Sequence, residues 1–228
     1  MSHKQAPNKI EAVVFDLDGT LIDTAPEFIT IVQRLRASHG LAALDPVQVR
    51  KMVTNGSGAL ITLALGMTEE HPEYLTQRDI FLTLYGEILG AESKPYPGLP
   101  ALVKKLAEKN ISWGVATNKP RVYAARLMDT MAFEPAAGSL VTPDDVTHSK
   151  PHPESIVLSC KNLGVRPCNT LYIGDHKRDI DAGRHAGCFT IAATYGYLED
   201  GDDPKLWDAN AYVDSSEALA AMILEMLK

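Results

Sequence analysis

The stretch Ala12-Val13-Val14-Phe15-Asp16-Leu17-Asp18-Gly19-Thr20 places two aspartates, one residue apart, directly after a short apolar run. Four consecutive apolar residues, mostly β-branched or aromatic, predict a buried strand. Buried carboxylates are costly unless they are paired or bind a metal, so an Asx turn would explain one aspartate but explains Asp16 and Asp18 together poorly. Gly19 allows a sharp turn after them. The stretch therefore predicts a ligand site at the carboxyl end of a strand, where open α/β sheets bind their ligands.

The composition is ordinary for a soluble globular protein. The 228 residues are 45% hydrophobic and 22% charged, and 22 Lys and Arg against 29 Asp and Glu give a formal net charge of −7. Because the sequence has no basic cluster, we expect neither nucleic acid nor an anionic membrane as a partner. No apolar run approaches the ~18 residues of a membrane span. The polar residues 1–10 lack the apolar core of a signal peptide, so the sequence predicts a cytoplasmic protein.

A helical pattern follows the first predicted strand, from about residue 25 to residue 92. Thr24 and Glu27 match a capping box at its start, and Pro26 suits the first turn of a helix. The run Pro95-Tyr96-Pro97-Gly98 ends the segment. Apolar residues at helical spacing predict the buried faces of the later helices, among them Val47, Val49, Ile80, Leu84 and Ile88.

Strands and helices alternate from residue 99 onward. The predicted strands are 111–116, 139–141, 170–173, 189–193 and 212–213, and the predicted helices are 99–109, 121–131, 153–163, 178–186 and 217–227. This alternation predicts a parallel sheet with helices on both faces. The predicted fold class is therefore α/β, with a Rossmann-like core of residues 1–23 and 95–228. An all-α domain of residues 24–94, called the insert below, would follow the first strand.

Polar residues follow three later strands, at the position that the aspartates occupy after the first. Thr117 can donate a hydrogen bond to a phosphoryl oxygen, and Asn118 can bind either a ligand or the backbone. Lys150 is a compact cation that suits a phosphate. Asp175 and Asp179, one helical turn apart, offer the carboxylate oxygens that Mg²⁺ prefers. Helix caps or surface ion pairs would explain each residue alone, so the shared placement is what indicates a site.

The order Asp-x-Asp, Thr, Lys and Gly-Asp-x-x-x-Asp resembles the haloacid dehalogenase superfamily of phosphohydrolases, and the resemblance covers essentially the whole chain. It implies a HAD-like core with an inserted helical cap domain and an enzyme that hydrolyses a phosphate monoester. Asp16 would be the nucleophile that forms an aspartyl-phosphate, and Asp18 the general acid and base. Thr117 would bind the phosphoryl group, and Lys150 would fix and neutralise it.

The resemblance also implies Mg²⁺ as the cofactor. Asp175 would bind the metal together with Asp16 and the backbone carbonyl of Asp18, and Asp179 would support it from close by. His176 departs from a common pattern, since many relatives carry a small polar residue after the metal aspartate. This departure removes no metal ligand.

Substrate choice is expected to lie in the insert. Asn55, Gly56, Ser57 and Gly58 interrupt its helical pattern, and backbone amides at the start of a helix can bind an anion. An ordinary glycine-rich turn explains the same residues equally well. In similar caps such a loop reaches the leaving group, so we expect Asn55 to Gly58 to bind the substrate. The nearby cations Arg50 and Lys51 are secondary candidates.

The partner implied by the resemblance is a small phosphorylated metabolite. The runs 115–120, 149–153 and 195–197 resemble the bacterial phosphoglycolate phosphatases. Trp113-Gly114 and residues 195–208 also resemble phosphatases of N-acetylmuramic acid 6-phosphate. The sequence leaves open the choice between glycolate and a sugar acid as the leaving group, and that between a monomer and a homodimer.

Two alternatives share part of the pattern. A sugar phosphomutase would carry the same aspartate pair and insert, but it would keep water from its phosphoenzyme. A phospho-accepting signalling domain would also use Asp, Thr, Lys and Mg²⁺. It would be shorter, would have no insert, and would lack an acid two residues after the nucleophile.

Overall fold

The strands of the computed structural model, which describes residue 7 and residues 9–228, form two sheets. In chain order the strands are β1 (Ala12–Phe15), β2 (Ile22–Asp23), β3 (Lys94–Pro95), β4 (Ser112–Ala116), β5 (Ser139–Val141), β6 (Thr170–Gly174), β7 (Phe189–Ala193) and β8 (Ala211–Val213). The main sheet has the order β5-β4-β1-β6-β7-β8, and all its neighbouring strands are parallel. β1 lies between β4 and β6, so the stretch that carries the aspartates occupies the middle of the sheet.

The helices lie on both faces of the main sheet and in the insert. They are α1 (Ala25–Ser38), α2 (Pro46–Met52), α3 (Gly56–Leu65), α4 (Tyr74–Ile88), α5 (Leu99–Glu108), α6 (Arg121–Met131), α7 (Glu154–Asn162), α8 (Lys177–Ala186) and α9 (Ser216–Met226). Because side chains alternate along a strand, Val13 and Phe15 of β1 join one core cluster and Val14 joins another. The first cluster includes residues of α5 and α9, and the second residues of α7 and α8. The predicted α/β class with a parallel sheet is confirmed.

The chain leaves and re-enters the core through a second, small sheet. β2 and β3 pair antiparallel, with Ile22 opposite Pro95 and Asp23 opposite Lys94. The sequence analysis missed this pair, because two-residue strands show no periodicity and their partners lie about 70 residues apart. Helices α1 to α4, between the two strands, pack on one another. The domain boundaries at residues 24–94 stay a prediction, and residues 1–6 and 8 of the predicted core lie outside the described part of the chain.

The predicted capping box at the start of α1 is wrong. Thr24 occupies the N-cap position, but its hydroxyl donates instead to Asp18 Oδ1 at 2.6 Å. No side-chain hydrogen bond caps the helix, and Glu27 is fully buried. Its Oε1 accepts three backbone N–H groups that follow α4, from Gly90, Glu92 and Ser93 at 2.7, 3.2 and 3.0 Å. Both side chains therefore bind partners outside the local motif, which the sequence pattern around residues 24–27 does not indicate.

The buried face of α4 also differs from the prediction. Ile80 is 42% exposed, whereas Phe81 and Tyr85 are buried and stack near Phe28 of α1, with ring centroids 6.3 and 4.6 Å away. In α2, Val47 is 55% exposed although Val49 is buried as predicted. Leu84 and Ile88, the other two predicted residues of α4, are partly buried against the core. Aromatic packing between α1 and α4 turns the fully buried face toward Phe81 and Tyr85, so the prediction is wrong for Ile80. Within the described residues, no helix has the length and apolar character needed to cross a membrane.

Candidate active site

Polar side chains from the carboxyl ends of the central strands meet at one edge of the main sheet. Asp16 follows β1, Thr117 follows β4, and Asp175 follows β6. These three residues and Lys150 are at most 8% exposed. A cavity of about 290 Å³ opens beside them and is lined by Asp16, Asp18, Thr117, Lys150 and Asp179, among others. The sheet therefore brings together the polar residues that the sequence placed after separate strands.

Lys150 lies at the centre of this group. Its Nζ is 2.7 Å from Asp16 Oδ1 and 2.6 Å from Asp179 Oδ1, and it donates to the carbonyl of Ala116 and the hydroxyl of Tyr172. Burial acts to lower the pKa of Lys150, but attraction to Asp16 and Asp179 outweighs it and leaves that pKa above its ordinary value. The ammonium group thus stays charged at the floor of the cavity.

Three buried carboxylates form a group that fits a divalent cation. Oxygen atoms of Asp16, Asp175 and Asp179 all lie within 4.8 Å of one another. Burial raises the pKa of Asp16 to about 6 despite the attraction of Lys150, and burial followed by repulsion from Asp16 raises the pKa of Asp175 well above its usual range. One lysine cannot balance three carboxylates. The oxygen donors match the preference of Mg²⁺, and a divalent cation would keep the group ionised.

The chain fits closely around Asp175. Its carboxylate accepts hydrogen bonds from the Thr20 hydroxyl at 3.1 Å and from the Tyr197 backbone N–H at 2.8 Å. Gly19 has a φ of +78°, and a Cβ built there would lie 2.1 Å from Asp175 Oδ2. A Cβ at Gly196 would lie 2.2 Å from the Asp175 Cβ. The glycine after the aspartate pair is thus required both by the turn and by the buried carboxylate next to it.

Asp18 is held by two side chains. Its Oδ1 accepts the Thr24 hydroxyl at 2.6 Å and lies 2.9 Å from Lys119 Nζ. The Lys119 ammonium also lies 4.7 Å from the ring centroid of Tyr85 and 5.2 Å from that of Phe28. The sequence analysis missed Lys119 as a site residue, although its position directly after Thr117 and Asn118 at the end of β4 was a usable signal.

Thr117 and Asn118 shape the loop after β4. The Thr117 Oγ1 accepts the Lys119 backbone N–H at 3.1 Å, which leaves the hydroxyl proton available to a ligand. The Asn118 amide donates to the carbonyl of Lys150 and accepts its N–H, both at 3.1 Å. Of the two roles considered from the sequence, Asn118 therefore has that of binding the backbone, here at Lys150. Its contact with the substrate stays a prediction.

The insert supplies the opposite wall of the cavity. Asn55 ends a short 3₁₀ turn (Val53–Asn55), and Gly56 and Ser57 begin α3; all three line the cavity. Gly58 does not belong to the lining within the described residues: a Cβ there would lie 2.8 Å from the Tyr74 hydroxyl. The structure thus places the first three residues of the loop at the cavity, and their contact with substrate stays a prediction. Gly58 instead lies against Tyr74 within the insert.

The secondary candidates Arg50 and Lys51 are placed away from the described cavity lining. Arg50 lies 3.0 Å from Asp23 Oδ2 and 5.0 Å from the ring centroid of Tyr197. Lys51 forms an exposed ion pair with Asp200. Both cations already have partners between the insert and the core.

Arg178 is a second cavity residue that the sequence analysis missed. Its guanidinium donates to the carbonyl of Thr54 at 3.2 Å, to Asn55 Oδ1 at 2.9 Å and to His176 Nδ1 at 3.1 Å. His176 caps α8 by accepting the Arg178 backbone N–H at 3.0 Å. The unusual histidine beside Asp175 therefore orients Arg178, which reaches from α8 to the insert.

The rest of the cavity wall is largely aromatic. Phe28 comes from α1, Phe81 and Tyr85 from α4, and Tyr123 from α6. Arg78 lies on the exposed side of α4 and also lines the cavity. Aromatic faces with a few polar groups suit the apolar face and hydroxyls of an organic leaving group. Sequence reasoning missed this wall because three separate helices build it.

Comparison with known proteins gives the same family as the motifs. The model of the haloacid dehalogenase-like hydrolase family matches residues 13–193. An N-acetylmuramic acid 6-phosphate phosphatase from Pseudomonas aeruginosa is 43% identical over 211 residues, which cover 92% of this chain and 93% of that protein. A phosphoglycolate phosphatase from Xanthomonas campestris pv. campestris is 31% identical over 208 residues, which cover 91% of this chain and 94% of that protein.

A solved structure supports the fold. The crystal structure of a predicted phosphoglycolate phosphatase from Haemophilus somnus aligns with a TM-score of 0.83 at 23% identity, covering 96% of this chain and 98% of that chain. At this identity the likeness concerns the fold alone. The family match over most of the chain and the curated relatives lead to one conclusion: the chain belongs to the haloacid dehalogenase-like hydrolase family and is a phosphatase.

Proposed function

We propose that this phosphatase removes the phosphate from a phosphorylated sugar acid of the N-acetylmuramic acid 6-phosphate type, with Mg²⁺ as its cofactor. The observation that carries the proposal is the cavity beside Asp16. Its volume of about 290 Å³ and its aromatic wall suit a sugar-sized leaving group, since ligand cavities commonly measure ~300–1,000 Å³. The 43% identity to the Pseudomonas aeruginosa enzyme, against 31% to the Xanthomonas enzyme, supports the same choice.

In the proposed mechanism, Asp16 and Asp18 divide the chemistry. A carboxylate oxygen of Asp16 attacks phosphorus in line while the bond from phosphorus to the leaving oxygen breaks, which gives an aspartyl-phosphate. Asp18 donates a proton to the departing alkoxide. It then takes a proton from the water that cleaves the aspartyl-phosphate and returns Asp16 to its carboxylate form. One carboxylate cannot fill both roles, which accounts for the pair.

The remaining polar groups bind charge and position the reactants. Lys150 pairs with Asp16 and places a positive charge next to the expected position of the phosphoryl oxygens. The free proton of the Thr117 hydroxyl can be donated to one of those oxygens. Mg²⁺, bound by Asp16, Asp175 and the backbone carbonyl of Asp18, would neutralise further phosphate charge. Asp179 pairs with Lys150 and would support the metal site from close by.

2-Phosphoglycolate is the second candidate substrate, because a phosphoglycolate phosphatase is 31% identical over most of the chain. Glycolate is much smaller than a sugar acid and would leave much of the aromatic wall without contact. We therefore expect hydrolysis of this substrate with a lower kcat/KM.

The experiment is a comparison of kcat/KM for release of inorganic phosphate from N-acetylmuramic acid 6-phosphate, 2-phosphoglycolate and glucose 6-phosphate. Each assay is run with Mg²⁺ and with excess chelator, and Asp16→Asn serves as the inactive control. We expect the sugar acid to be the best substrate and chelator to stop the reaction. A higher kcat/KM for 2-phosphoglycolate would reverse the choice of substrate. Conversion of glucose 6-phosphate to an isomer without phosphate release would instead indicate a mutase.

A further inference from the structure

Arg178 differs in its partners from the two lysines of the cavity. Lys119 pairs with Asp18, and Lys150 pairs with Asp16 and Asp179. Across residues 9–228, no carboxylate lies within ion-pair distance of the Arg178 guanidinium; its partners are the neutral Thr54 carbonyl, Asn55 amide oxygen and His176 ring. A partly buried cation without a counter-ion carries a desolvation cost that an anionic ligand would offset.

The guanidinium is also held in one orientation. Its Nε–H is engaged by His176, and one Nη contacts Thr54 while the other contacts Asn55. The Nη that contacts Asn55 also lies 3.4 Å from His176 Nε2. Because His176 Nδ1 accepts two N–H groups, Nε2 carries the ring proton and cannot accept a hydrogen bond. Of the five N–H donors of the guanidinium, one on each Nη therefore has no acceptor among the described residues. Two such donors at the edge of a planar group match the two oxygens of a carboxylate. A side chain fixed in this way loses little conformational entropy when a ligand binds.

We propose that Arg178 is a specificity-determining residue that binds a carboxylate on the leaving group of the substrate. The proposal deepens the function proposed above and rests on it for the identity of the substrate. Both candidate substrates carry such a group: N-acetylmuramic acid has a lactyl carboxylate, and glycolate has its own. The phosphoryl group is common to all phosphate monoesters, so Arg178 distinguishes acidic leaving groups from neutral ones.

The test uses two sugar phosphates that differ in the carboxylate. N-acetylglucosamine 6-phosphate lacks the lactyl ether of N-acetylmuramic acid 6-phosphate and is otherwise the same sugar. For Arg178→Met we expect kcat/KM to fall about ten- to a hundredfold on the sugar acid, the range for losing a charge-assisted hydrogen bond, and by less than about threefold on the neutral sugar. Arg178→Lys should regain part of the preference. Equal losses on both substrates, or no loss on the acid, would overturn the proposal.

A purely structural role, in which Arg178 ties α8 to the insert, predicts a different pattern. Asn55→Ala removes one contact of the tie but keeps the charge. If Arg178 binds the carboxylate, Asn55→Ala retains most of the preference for the acid; if Arg178 only ties the elements together, both variants lose activity equally on both substrates. Arg184→Met is the matched control, because Arg184 is on the same helix and pairs with Asp208 away from the cavity lining.

Product inhibition separates this proposal from the choice of substrate. Hydrolysis of p-nitrophenyl phosphate is measured with N-acetylmuramic acid or N-acetylglucosamine, and with glycolate or ethylene glycol. We expect the acid of each pair to inhibit wild type more strongly and Arg178→Met to lose the difference. This result would support a carboxylate site even if N-acetylmuramic acid 6-phosphate proved not to be hydrolysed. No difference between acid and neutral compound in wild type would refute the site, whatever the substrate.

Discussion

At the scale of single residues, Asp16 is the proposed nucleophile of the covalent step. Its carboxylate lies 2.7 Å from the Lys150 ammonium and lines the cavity. Asp16→Asn replaces a nucleophilic oxygen anion with an amide, so phosphate release should fall by about a thousandfold or more. Asp18→Asn should instead slow both the formation and the hydrolysis of the phosphoenzyme. Phosphate release at saturating substrate measures both, with thermal unfolding as the check on folding. Near-normal rates for Asp16→Asn would indicate direct attack by water.

Lys119 offers a second test at this scale, because it pairs with the proposed acid and base Asp18 at 2.9 Å. Lys119→Met keeps an apolar stem against Phe28 and Tyr85 but removes the charge. We expect kcat to fall about tenfold, since small errors in positioning a catalytic group are costly. Lys51→Met is the control. An unchanged kcat in Lys119→Met, or an equal loss in Lys51→Met, would show that the Lys119 pair has no role in positioning Asp18.

At the scale of elements, Glu27 joins the first helix of the insert to the end of its last helix. One buried carboxylate oxygen accepts three backbone N–H groups from residues 90–93. Glu27→Ala leaves all three donors without this acceptor, so the free energy of unfolding should fall by about 3 kcal/mol. Glu27→Gln keeps an oxygen and should lose less.

Urea unfolding of the full chain measures these changes. Glu87→Ala, on the exposed side of α4, is the matched control and should stay within about 0.5 kcal/mol of wild type. A loss in Glu27→Ala no larger than that of the control would mean that the chain after α4 is held by other contacts.

The start of α3 gives a second test at this scale. Gly56 has a φ of +78°, and a Cβ added there would meet no other atom within 4 Å. With a ψ of −175°, Gly56 lies in a backbone region that is essentially restricted to glycine, so Gly56→Ala acts through backbone strain at the cavity wall, about 1–3 kcal/mol. We expect it to lower kcat/KM for the sugar-acid phosphate much more than for p-nitrophenyl phosphate. Gly58→Ala, which meets the Tyr74 hydroxyl within the insert, should affect both substrates similarly. Equal losses of kcat/KM on both substrates in Gly56→Ala would show that this loop has a structural role and does not select the substrate.

The same elements show what sequence reasoning can predict. Short apolar runs such as those of β1 and β7 and the helical period of α6 are local signals, and their predicted ends match the structure. The β2–β3 pair, the rotation of α4 and the true partners of Glu27 depend on residues far away in sequence. Arg178 was missed for the same reason, since its role depends on what the fold places opposite it. Lys119 differs, because its position directly after Thr117 and Asn118 was a local signal.

At the scale of the whole molecule, two parts of the chain meet at the cavity. Residues after the strands of the main sheet supply the carboxylates and Lys150. The insert supplies Asn55, Gly56 and most of the aromatic wall, to which α6 of the core adds Tyr123. In the proposed mechanism, the first group would contact the phosphoryl group that every phosphate monoester shares, and the second would face the leaving group. Binding of the leaving group can therefore be used to align Asp18 with the bridging oxygen, which raises kcat as well as affinity.

The stability of the whole chain should report the metal site through pH. In the folded chain, burial raises the pKa of Asp16 from an ordinary 3.8 to about 6. A carboxyl group shifted upward stabilises the fold at low pH, and this contribution is lost as the pH rises through about 4 to 6. Mg²⁺ needs the ionised carboxylate and competes with that proton. The gain in stability from Mg²⁺ should therefore be small near pH 5 and larger near pH 7.

Thermal unfolding with excess Mg²⁺, compared with Na⁺ at the same ionic strength, measures this gain at each pH. The difference in unfolding temperature between the two salts cancels the pH effects of groups that lie far from the metal site. Asp16→Asn removes one of the two proposed ligands whose pKa is raised, so it should weaken the pH dependence of the gain, while the part due to Asp175 remains. An equal gain in stability from Mg²⁺ at both pH values would show that Asp16 is not a metal ligand. No gain at either pH, together with full activity in excess chelator, would remove the metal from the mechanism and leave Lys150 as the cation that neutralises the phosphate.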